Sequence, residues 1–344
     1  MYKAQANLLR KFLIMFVPLA LSAQAEVEKL TLDNGTITVE ITPDIGGRVL
    51  SAHLRNQPNF LKTGEAVITD PDPDVSPESG NMPYFGHEVW VGPQSNWWVH
   101  QLLNDERRAA KAIWPPDPYL VLAKHKSVEK NSQQIILQSP NSPISGVSIT
   151  KRYSLIANNP NQIRLDVEAK NIRDTKMSWD IWYNTRVPYS VNIYVPVAEM
   201  KDARIAHYSD ETYDGLEHMF SDGFFSLENA DSTRKKGRKG KVFIQPAEGW
   251  MAAFSDKQVF IIQFALQPVG AIHPEQGQIE LYQEFLNEAP EHGLLELEVH
   301  APYKTLAPGE TMAATETWTL LPYAGASTRA AHVEFLKKLN LSRK

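Results

Sequence analysis

The segment from residue 83 to residue 98 combines proton-transfer groups with aromatic rings. It contains His87 and Glu88, which can donate or accept protons, and three tryptophans. Sugars present C–H patches to flat aromatic rings and hydroxyls to fixed donors and acceptors, so this mixture is typical of a carbohydrate site. Taken singly, each tryptophan is better explained as part of the core, because large aromatic side chains are mostly buried. From the cluster as a whole we predict that Glu88, Trp90 and Trp98 contact a ligand.

A second polar and aromatic cluster lies on a predicted strand between residues 178 and 186. Side chains two residues apart share one face of a strand. The face that carries Asp180, Trp182, Asn184 and Arg186 is mostly polar. Such a face either meets solvent or lines a cleft, and the tryptophan among the polar residues favours a cleft. These four residues are therefore candidate ligand contacts.

The third cluster lies on two predicted strands near the C terminus. Tyr282 and Glu284 share one strand face, and Glu296, Glu298 and His300 share another. Carboxylates close to a histidine can supply a raised-pKa acid and an ionised base. Alternatively, alternating glutamates form the solvent-facing side of an antiparallel strand. The residues alone leave both interpretations open.

Motifs that would define other kinds of chemistry are missing from the sequence. It contains no glycine-rich dinucleotide fingerprint, no phosphate-binding loop and no G-x-S-x-G turn. The zinc pattern H-E-x-x-H begins at His87 but fails at Val91. The acidic triplet that starts at Asp70 resembles a calcium loop, yet Val75 stands where that loop needs glycine. We therefore expect no cofactor and no metal ion.

Composition narrows the class of protein further. The 344 residues include no cysteine, which excludes disulfides, thiolate metal sites and cysteine nucleophiles. The formal net charge of −5 at pH 7 gives no electrostatic reason to expect a nucleic-acid partner. One basic run, residues 234–241, is either a clamp for an anionic glycan or a solvated loop, and charge runs usually are solvated loops. Nothing in the composition specifies an oligomeric state.

Residues 1–25 have the pattern of a secretory signal peptide. Three basic residues precede an apolar run of about ten residues, and the motif A-Q-A at positions 23–25 supplies small residues for cleavage. The run is too short to cross a bilayer as a helix. We expect cleavage before Glu26 and a periplasmic or secreted protein without membrane insertion. The absence of cysteine also excludes a lipidated N-terminal cysteine.

The remaining sequence, residues 26–344, alternates between apolar and polar residues with a period of two. Clear examples are residues 37–42 and 162–169, and this period predicts strands. Helical patterns do not separate the strands, which indicates an antiparallel sandwich or barrel. A short helix capped by Ser327 is predicted near the C terminus. Because no linker divides the sequence, we expect one all-β domain.

Two stretches near the ends of the chain resemble the galactose-mutarotase-like superfamily. Residues 36–54, T-I-T-V-E-I-T-P-D-I-G-G-R-V-L-S-A-H-L, are similar to its opening strand pair, and L-A-P-G-E at residues 306–310 is similar to its closing turn. With G-H-E-V-W at residues 86–90 and L-E-L-E at residues 295–298, the chain most resembles the DUF4380 family. The resemblance implies a large two-layer antiparallel β-sandwich whose concave face binds carbohydrate.

The resemblance also implies roles for individual residues. Aldose 1-epimerases of this fold use a late-strand glutamate as base and histidines as acid, which would make Glu284 the base and His87 the earlier histidine. In those enzymes a second histidine lies on a mid-sequence strand. The corresponding strand of this chain reads W-Y-N-T at residues 182–185 and has no histidine there. Arg48 and Arg186 could hold a carboxylate or an oxyanion.

We therefore predict an exported protein that binds a mono- or oligosaccharide, anionic sugars included. Two classes of function stay open. The chain is either a cofactor-independent enzyme, similar to an epimerase, isomerase or lyase, or a non-catalytic glycan-binding module of the cell envelope. Proton transfer by a glutamate base and a histidine acid would serve the first.

Overall fold

Antiparallel strands form most of the described chain. The computed structural model describes residues 26–229 and 235–341, so the predicted signal peptide lies outside the described residues. In chain order the described strands are β1 (Leu30–Asp33), β2 (Ile37–Thr42), β3 (Arg48–Leu54), β4 (His87–Gly92), β5 (Lys126–Lys130), β6 (Gln134–Gln138), β7 (Val147–Leu155), β8 (Gln162–Asn171), β9 (Met177–Pro188), β10 (Asn192–Pro196), β11 (Ala203–His207), β12 (Tyr213–Asp214), β13 (His218–Ser221), β14 (Phe224–Leu227), β15 (Gly237–Ile244), β16 (Trp250–Phe254), β17 (Gln258–Phe264), β18 (Ile279–Leu286), β19 (Ala289–His300), β20 (Lys304–Leu306) and β21 (Thr311–Pro322). The helices are α1 (Ala66–Thr69), α2 (Asp105–Ala109), α3 (Pro118–Val121) and α4 (Arg329–Leu339), with short 3-10 turns at Gln94–Asn96, Met200–Asp202 and Val269–Ala271.

These strands form two sheets, one of 11 and one of 10 described strands. The first sheet runs β1-β2-β3-β4-β9-β19-β18-β15-β11, with β12 paired to β15 and β20 paired to β9. The second runs β13-β14-β10-β16-β17-β21-β8-β7-β6-β5. Among the described strands, the contact of β12 with β15 is parallel and the other pairs are antiparallel. The predicted two-layer antiparallel β-sandwich is confirmed.

The hydrophobic core lies between the two sheets, and the alternation in the sequence explains how it forms. On β8, Ile163, Leu165 and Val167 are buried in the core, whereas the neighbouring Arg164 and Glu168 are exposed. The central strands β4 and β9 differ, because nearly all their side chains are buried on both faces. The outer face of the first sheet is therefore covered at its centre, where the predicted polar clusters lie.

From Gly237 onward, the basic run at residues 234–241 belongs to strand β15. The expectation of a solvated loop was therefore wrong for residues 237–241. A Cβ added at Gly237 would lie 2.0 Å from a carbonyl oxygen of β18, so the absent side chain lets the two strands approach. Lys239 and Lys241 share one face of β15 and form ion pairs with glutamates of β18 and β19. The run looks like a solvated charge cluster only because its partners are distant in sequence.

The predicted C-terminal helix is present as α4 and packs on the outer side of the second sheet. Its cap is Thr328, one residue later than the predicted Ser327, and the Thr328 hydroxyl accepts a hydrogen bond from a backbone N–H of the first turn. The imidazole of His332 stacks on Phe254 with 4.1 Å between ring centroids. No helix in the described part of the chain has the length and hydrophobicity needed to span a bilayer.

Candidate functional site

A pocket of about 390 Å³ opens on the outer face of the first sheet. Strands β4, β9, β19, β18 and β15 supply its floor, and the loop before β4 supplies part of its rim. Its lining residues are Asn81, Met82, Pro83, Phe85, Glu88, Trp90, Gln94, Trp114, Trp182, Arg186, Tyr208, Lys241, Tyr282, Glu284, Leu294 and Glu296.

Half of the residues predicted from sequence line this pocket. They are Glu88, Trp90, Trp182, Arg186, Tyr282, Glu284 and Glu296. The other predicted residues do not line it; they are Arg48, His87, Trp98, Asp180, Asn184, Glu298 and His300. The three sequence clusters thus meet at one site, although they are up to about 200 residues apart in the chain.

The antiparallel register explains why these clusters meet. Glu296 on β19 lies directly opposite Arg186 on β9 and opposite Tyr282 on β18. Tyr282 in turn lies opposite Lys241 on β15. Directly opposed residues in adjacent antiparallel strands have Cβ atoms about 5 Å apart on the same face, so these four side chains form one row across the floor.

A buried ion network holds one end of the floor. Arg186 Nε donates to Glu296 Oε1 at 2.8 Å, and its Nη1 donates to Glu88 Oε1. Arg48 Nη2 donates to Glu88 Oε2 at 2.5 Å, and its Nη1 donates to the carbonyl of Phe85 at 2.6 Å. Burial alone would raise the pKa of Glu88, but the two guanidiniums outweigh burial and lower that pKa to about 2. Both arginines are therefore already paired with carboxylates.

Lys241 holds the other end of the floor. Its Nζ lies 2.7 Å from Glu280 Oε2 and 3.0 Å from Glu298 Oε2. The ammonium also lies 4.8 Å from the ring centroid of Trp182, whose Nε1 donates to Glu298 Oε2 at 2.8 Å. Burial lowers the pKa of Lys241, but Glu280 and Glu298 outweigh it and the net shift is upward. Lys241 is thus a fixed cation that forms part of the pocket wall.

Beside the pocket, on the same face of the sheet and in contact with Trp182 and Lys241, lies a group of fully buried ionisable side chains. His300 Nδ1 is 3.2 Å from Asp180 Oδ2, and His300 Nε2 is 3.4 Å from Glu280 Oε1. Burial lowers the pKa of His300, but Glu280 and Asp180 raise it to about 9 overall. Burial raises the pKa of Glu298 to about 7. Asn184 on β9 lies directly opposite Glu298 on β19 and, on its other side, opposite Glu88 on β4. Neither its amide nitrogen nor its amide oxygen has a hydrogen-bond partner in the described part of the chain.

Glu284 is the predicted base, and it lies in the pocket wall. Its carboxylate accepts hydrogen bonds from the Tyr213 hydroxyl at 2.9 Å, from Lys239 Nζ at 3.1 Å and from the Tyr282 hydroxyl. Partial burial raises the pKa of Glu284, but these three donors outweigh burial and lower it. The group is therefore ionised at neutral pH and can accept a hydrogen bond or a proton from a ligand hydroxyl.

The structure does not bring His87 together with Glu284. Because neighbouring side chains on a strand point to opposite faces, Glu88 in the pocket places His87 in the core between the sheets. His87 Nδ1 lies 2.9 Å from Thr185 Oγ1, and its ring packs edge-on against Trp318 with 4.8 Å between centroids. Burial lowers the pKa of His87 well below its ordinary value. The expected pairing of a Glu284 base with a His87 acid is corrected by this placement.

Trp98 also belongs to the core rather than to the pocket. It is fully buried, and its Nε1 donates to the carbonyl of Pro115 at 2.8 Å. The sequence analysis missed Trp114, which lines the pocket with 48% of its surface exposed. From the sequence, Lys241 was considered only as one charge of the basic run at residues 234–241. Its position two residues after Lys239 and directly before the apolar run Val242–Ile244 is the signal that could have placed both lysines on a strand.

A second and larger groove, of about 940 Å³, lies on the outer face of the second sheet. Trp250, Phe264 and Leu266 line it together with threonine, glutamine and arginine side chains. Its described lining residues do not form a network of buried ion pairs like the one at the first pocket. Perturbed ionisable groups concentrate at functional sites, so the smaller pocket is the stronger candidate.

Solved structures with the same architecture identify the fold of this chain. Slr1438 from Synechocystis sp. PCC 6803 superimposes with a TM-score of 0.54 and 12% identity, covering 91% of this chain and 100% of its own. A galactose mutarotase-like protein from Lactobacillus casei gives 0.51 and 9% identity over 86% of this chain and 100% of its own. A putative aldose 1-epimerase from Klebsiella pneumoniae gives 0.50 and 14% identity over 90% and 82%. The chain has the galactose mutarotase-like sandwich fold.

The family is defined more narrowly by sequence. The family model described as a domain of unknown function, DUF4380, matches residues 27–321. The chain belongs to this family, as its end motifs together with G-H-E-V-W and L-E-L-E predicted. A comparison with curated protein sequences found no significant match.

Proposed function

We propose that this protein binds a neutral sugar in the pocket of the first sheet. The observation that carries the proposal is the combination of tryptophan rings with fixed carboxylate oxygens in one pocket. Trp90, Trp114 and Trp182 offer apolar faces, while Glu284 and Glu296 offer hydrogen-bond acceptors. Sugar C–H patches pack on such rings, and hydroxyl groups donate to such oxygens. The mutarotase-like class of the fold agrees with a carbohydrate ligand.

The charge pattern of the pocket favours a neutral sugar over an anionic one. Of the described lining residues, the cations are Arg186 and Lys241, and each lies between two carboxylates. An anionic ligand would have to compete with those carboxylates for the same N–H groups. Hydroxyl groups, in contrast, can donate to the carboxylate oxygens without breaking an ion pair.

Trp114 provides the most accessible aromatic face. Trp90 and Trp182 are almost fully buried and pack edge-on with 4.8 Å between ring centroids, so they form a rigid wall. Trp114 packs against Trp90 with 6.1 Å between centroids and leaves about half of its surface open. A sugar in the pocket would lie against this open face.

Replacement of Trp114 by alanine is expected to weaken sugar binding about tenfold, which corresponds to the loss of about 1.4 kcal/mol of aromatic contact. Titration calorimetry against a panel of neutral and acidic mono- and oligosaccharides measures the change. The control is Leu102→Ala, because Leu102 is 81% exposed and lies outside the pocket lining. Equal affinities for the wild type and both variants would contradict the proposal, as would binding of acidic sugars alone.

A second candidate function is proton transfer on the bound sugar, and the placement of Glu284 favours it. An ionised carboxylate in the pocket wall can accept the proton of an anomeric hydroxyl while the bond from the anomeric carbon to the ring oxygen breaks. The ring oxygen would take a proton from water, and Lys241 would stabilise its developing negative charge. On ring closure with the opposite configuration at the anomeric carbon, Glu284 returns its proton to the anomeric oxygen and the ring-oxygen hydroxyl returns its proton to the hydroxide, which completes an epimerisation.

We also propose that the protein is exported. Residues 1–25 carry the basic, apolar and small-residue regions of a signal peptide. Expression in a Gram-negative host should give a periplasmic product whose first residue is Glu26, as read by N-terminal sequencing and intact mass. A control with Ala23 and Ala25 both changed to leucine should keep residues 1–25. A cytoplasmic product that retains Met1 in the wild type would contradict the proposal.

A further inference from the structure

Glu280, Glu298 and His300 form a compact group of ligating side chains beside the pocket, on the same face of the first sheet. One ligand atom from each lies within 4.8 Å of the others, and the three residues are at most 2% exposed. They come from adjacent strands, because Glu280 on β18 lies directly opposite Glu298 on β19 and His300 is two residues further along the same face. The sheet register therefore fixes their spacing.

Two buried atoms in this group have no hydrogen-bond partner among the described residues: Glu298 Oε1 and His300 Nε2. His300 Nε2 is 3.4 Å from Glu280 Oε1, which is longer than the 2.7–3.2 Å usual for an N–H···O hydrogen bond. Two ligands bonded to one tetrahedral metal ion at about 2.0–2.1 Å lie about 3.3 Å apart. The separation thus suits two ligands of one ion better than a donor and its acceptor.

The charges of the group are not balanced by protein alone. Asp180, Glu280 and Glu298 contribute three carboxylates, and Lys241 contributes one ammonium. A protonated His300 would still leave one negative charge in excess, whereas one divalent cation bound to a neutral His300 would make the buried group neutral. Buried charges are costly unless they are paired or bind a metal.

The surroundings also match those of a metal-binding histidine. Such a histidine usually donates its second ring N–H to a carboxylate, which orients the ring. Here His300 Nδ1 lies 3.2 Å from Asp180 Oδ2, which leaves Nε2 as the ligand atom. Lys241 bonds to the Oε2 atoms of Glu280 and Glu298, so Glu298 Oε1 stays available.

We propose that Glu280, Glu298 and His300 bind one zinc-like divalent cation. The mixed nitrogen and oxygen donors favour zinc over calcium or magnesium, which prefer oxygen ligands alone. The ion would lie under Trp182 and Lys241 and would fix the part of the floor that these side chains form. The proposal does not depend on sugar binding.

Metal analysis of the full exported chain, purified without a histidine tag and dialysed, tests the proposal with zinc itself as the probe. The wild type should retain about one zinc per chain by mass spectrometry and bind it again after chelation. His300→Asn should retain none. Asp180→Asn should bind zinc 10- to 100-fold more weakly, as expected for loss of a carboxylate that orients a ligand.

The control is His292→Asn, since His292 lies on the same strand with its side chain 84% exposed. It should bind zinc like the wild type. Circular dichroism verifies folding, and Glu298→Gln serves as a second ligand variant if His300→Asn does not fold. A wild type that binds no zinc, or zinc binding that is unchanged in both ligand variants, would overturn the proposal. Calorimetry with sugars on the same samples reports separately on the proposed function.

Discussion

Replacement of Glu88 by glutamine is expected to lower the free energy of unfolding by about 3–5 kcal/mol, the usual cost of removing one partner from a buried ion pair. Glu88 is 4% exposed and bonds to both Arg48 and Arg186, which are equally buried. Glutamine keeps the shape but removes the negative charge, so two neighbouring guanidiniums would remain buried with too little compensation. Urea denaturation followed by circular dichroism measures the loss.

The matched control is Glu40→Gln. Glu40 pairs with Lys29 at 4.0 Å, and the two side chains are 33% and 54% exposed. Exposed pairs contribute about 0–1 kcal/mol, so this variant should unfold almost like the wild type. If Glu88→Gln lowered the free energy of unfolding no more than Glu40→Gln does, the buried ion network would not stabilise the fold as proposed.

Acid unfolding should show the same interaction. The pKa of Glu88 is about 2 in the folded chain, and that of an unfolded glutamate is about 4.3. Because the folded state binds the Glu88 proton more weakly than the unfolded state does, the ionised carboxylate stabilises the fold at any pH above the pKa of the unfolded state. This stability is lost as the pH falls toward the pKa of the folded state. The wild type should therefore lose this stability between about pH 4.3 and pH 2, whereas Glu88→Gln should lack this part of the pH dependence.

The second large effect concerns Glu284. If the pocket catalyses anomeric proton transfer, Glu284→Gln should slow it by about 10²- to 10⁴-fold, the usual contribution of a positioned base. Sugar affinity should change far less, because the amide still offers an oxygen acceptor. The assay is the rate of anomeric interconversion of a sugar that binds, followed by polarimetry and by exchange NMR.

Glu291→Gln is the control for this variant, since Glu291 lies in the exposed part of β19. It should keep the full rate. A wild type that binds sugar without accelerating interconversion would favour the non-catalytic glycan-binding module. A Glu284→Gln variant with an unchanged rate would remove Glu284 as the base.

The sequence predicted the β-sandwich because strands follow from local alternation, whereas the meeting of the three clusters depends on the pairing of strands that are distant in sequence. On β19, Glu296, Glu298 and His300 share a face that any strand with this sequence must form. The structure shows that, of these three, Glu296 lines the pocket, while the other two are buried beside it on the same face. The depth of a side chain depends on what covers it, and here the cover is Trp182 and Lys241 from other strands.

The facing of β4 could not be predicted in the same way. One of its faces carries His87 with two valines, and the other carries Glu88 with Trp90, so each face mixes polar and apolar groups. Alternation fixes which residues share a face but not which face meets the core. That choice depends on the arginines of β3 and β9, which pair with Glu88 only in the folded sheet.

The expectation of no metal ion rested on sequence motifs, and the inferred cation site lies beyond their reach. Metal motifs record ligands that are close in sequence, whereas Glu280 and His300 come together through the pairing of two strands. The role of Lys241 is also invisible to such motifs, because its partners Glu280 and Glu298 lie about 40 and 57 positions away in the sequence.

A crystal structure of the chain with a bound neutral sugar is the direct test of the proposed sugar site. We predict electron density for the sugar in the pocket of the first sheet, with one face against Trp114 and hydroxyls within hydrogen-bond distance of Glu284 and Glu296. Density in the larger groove of the second sheet beside Trp250, with the pocket of the first sheet filled by water alone, would contradict the account.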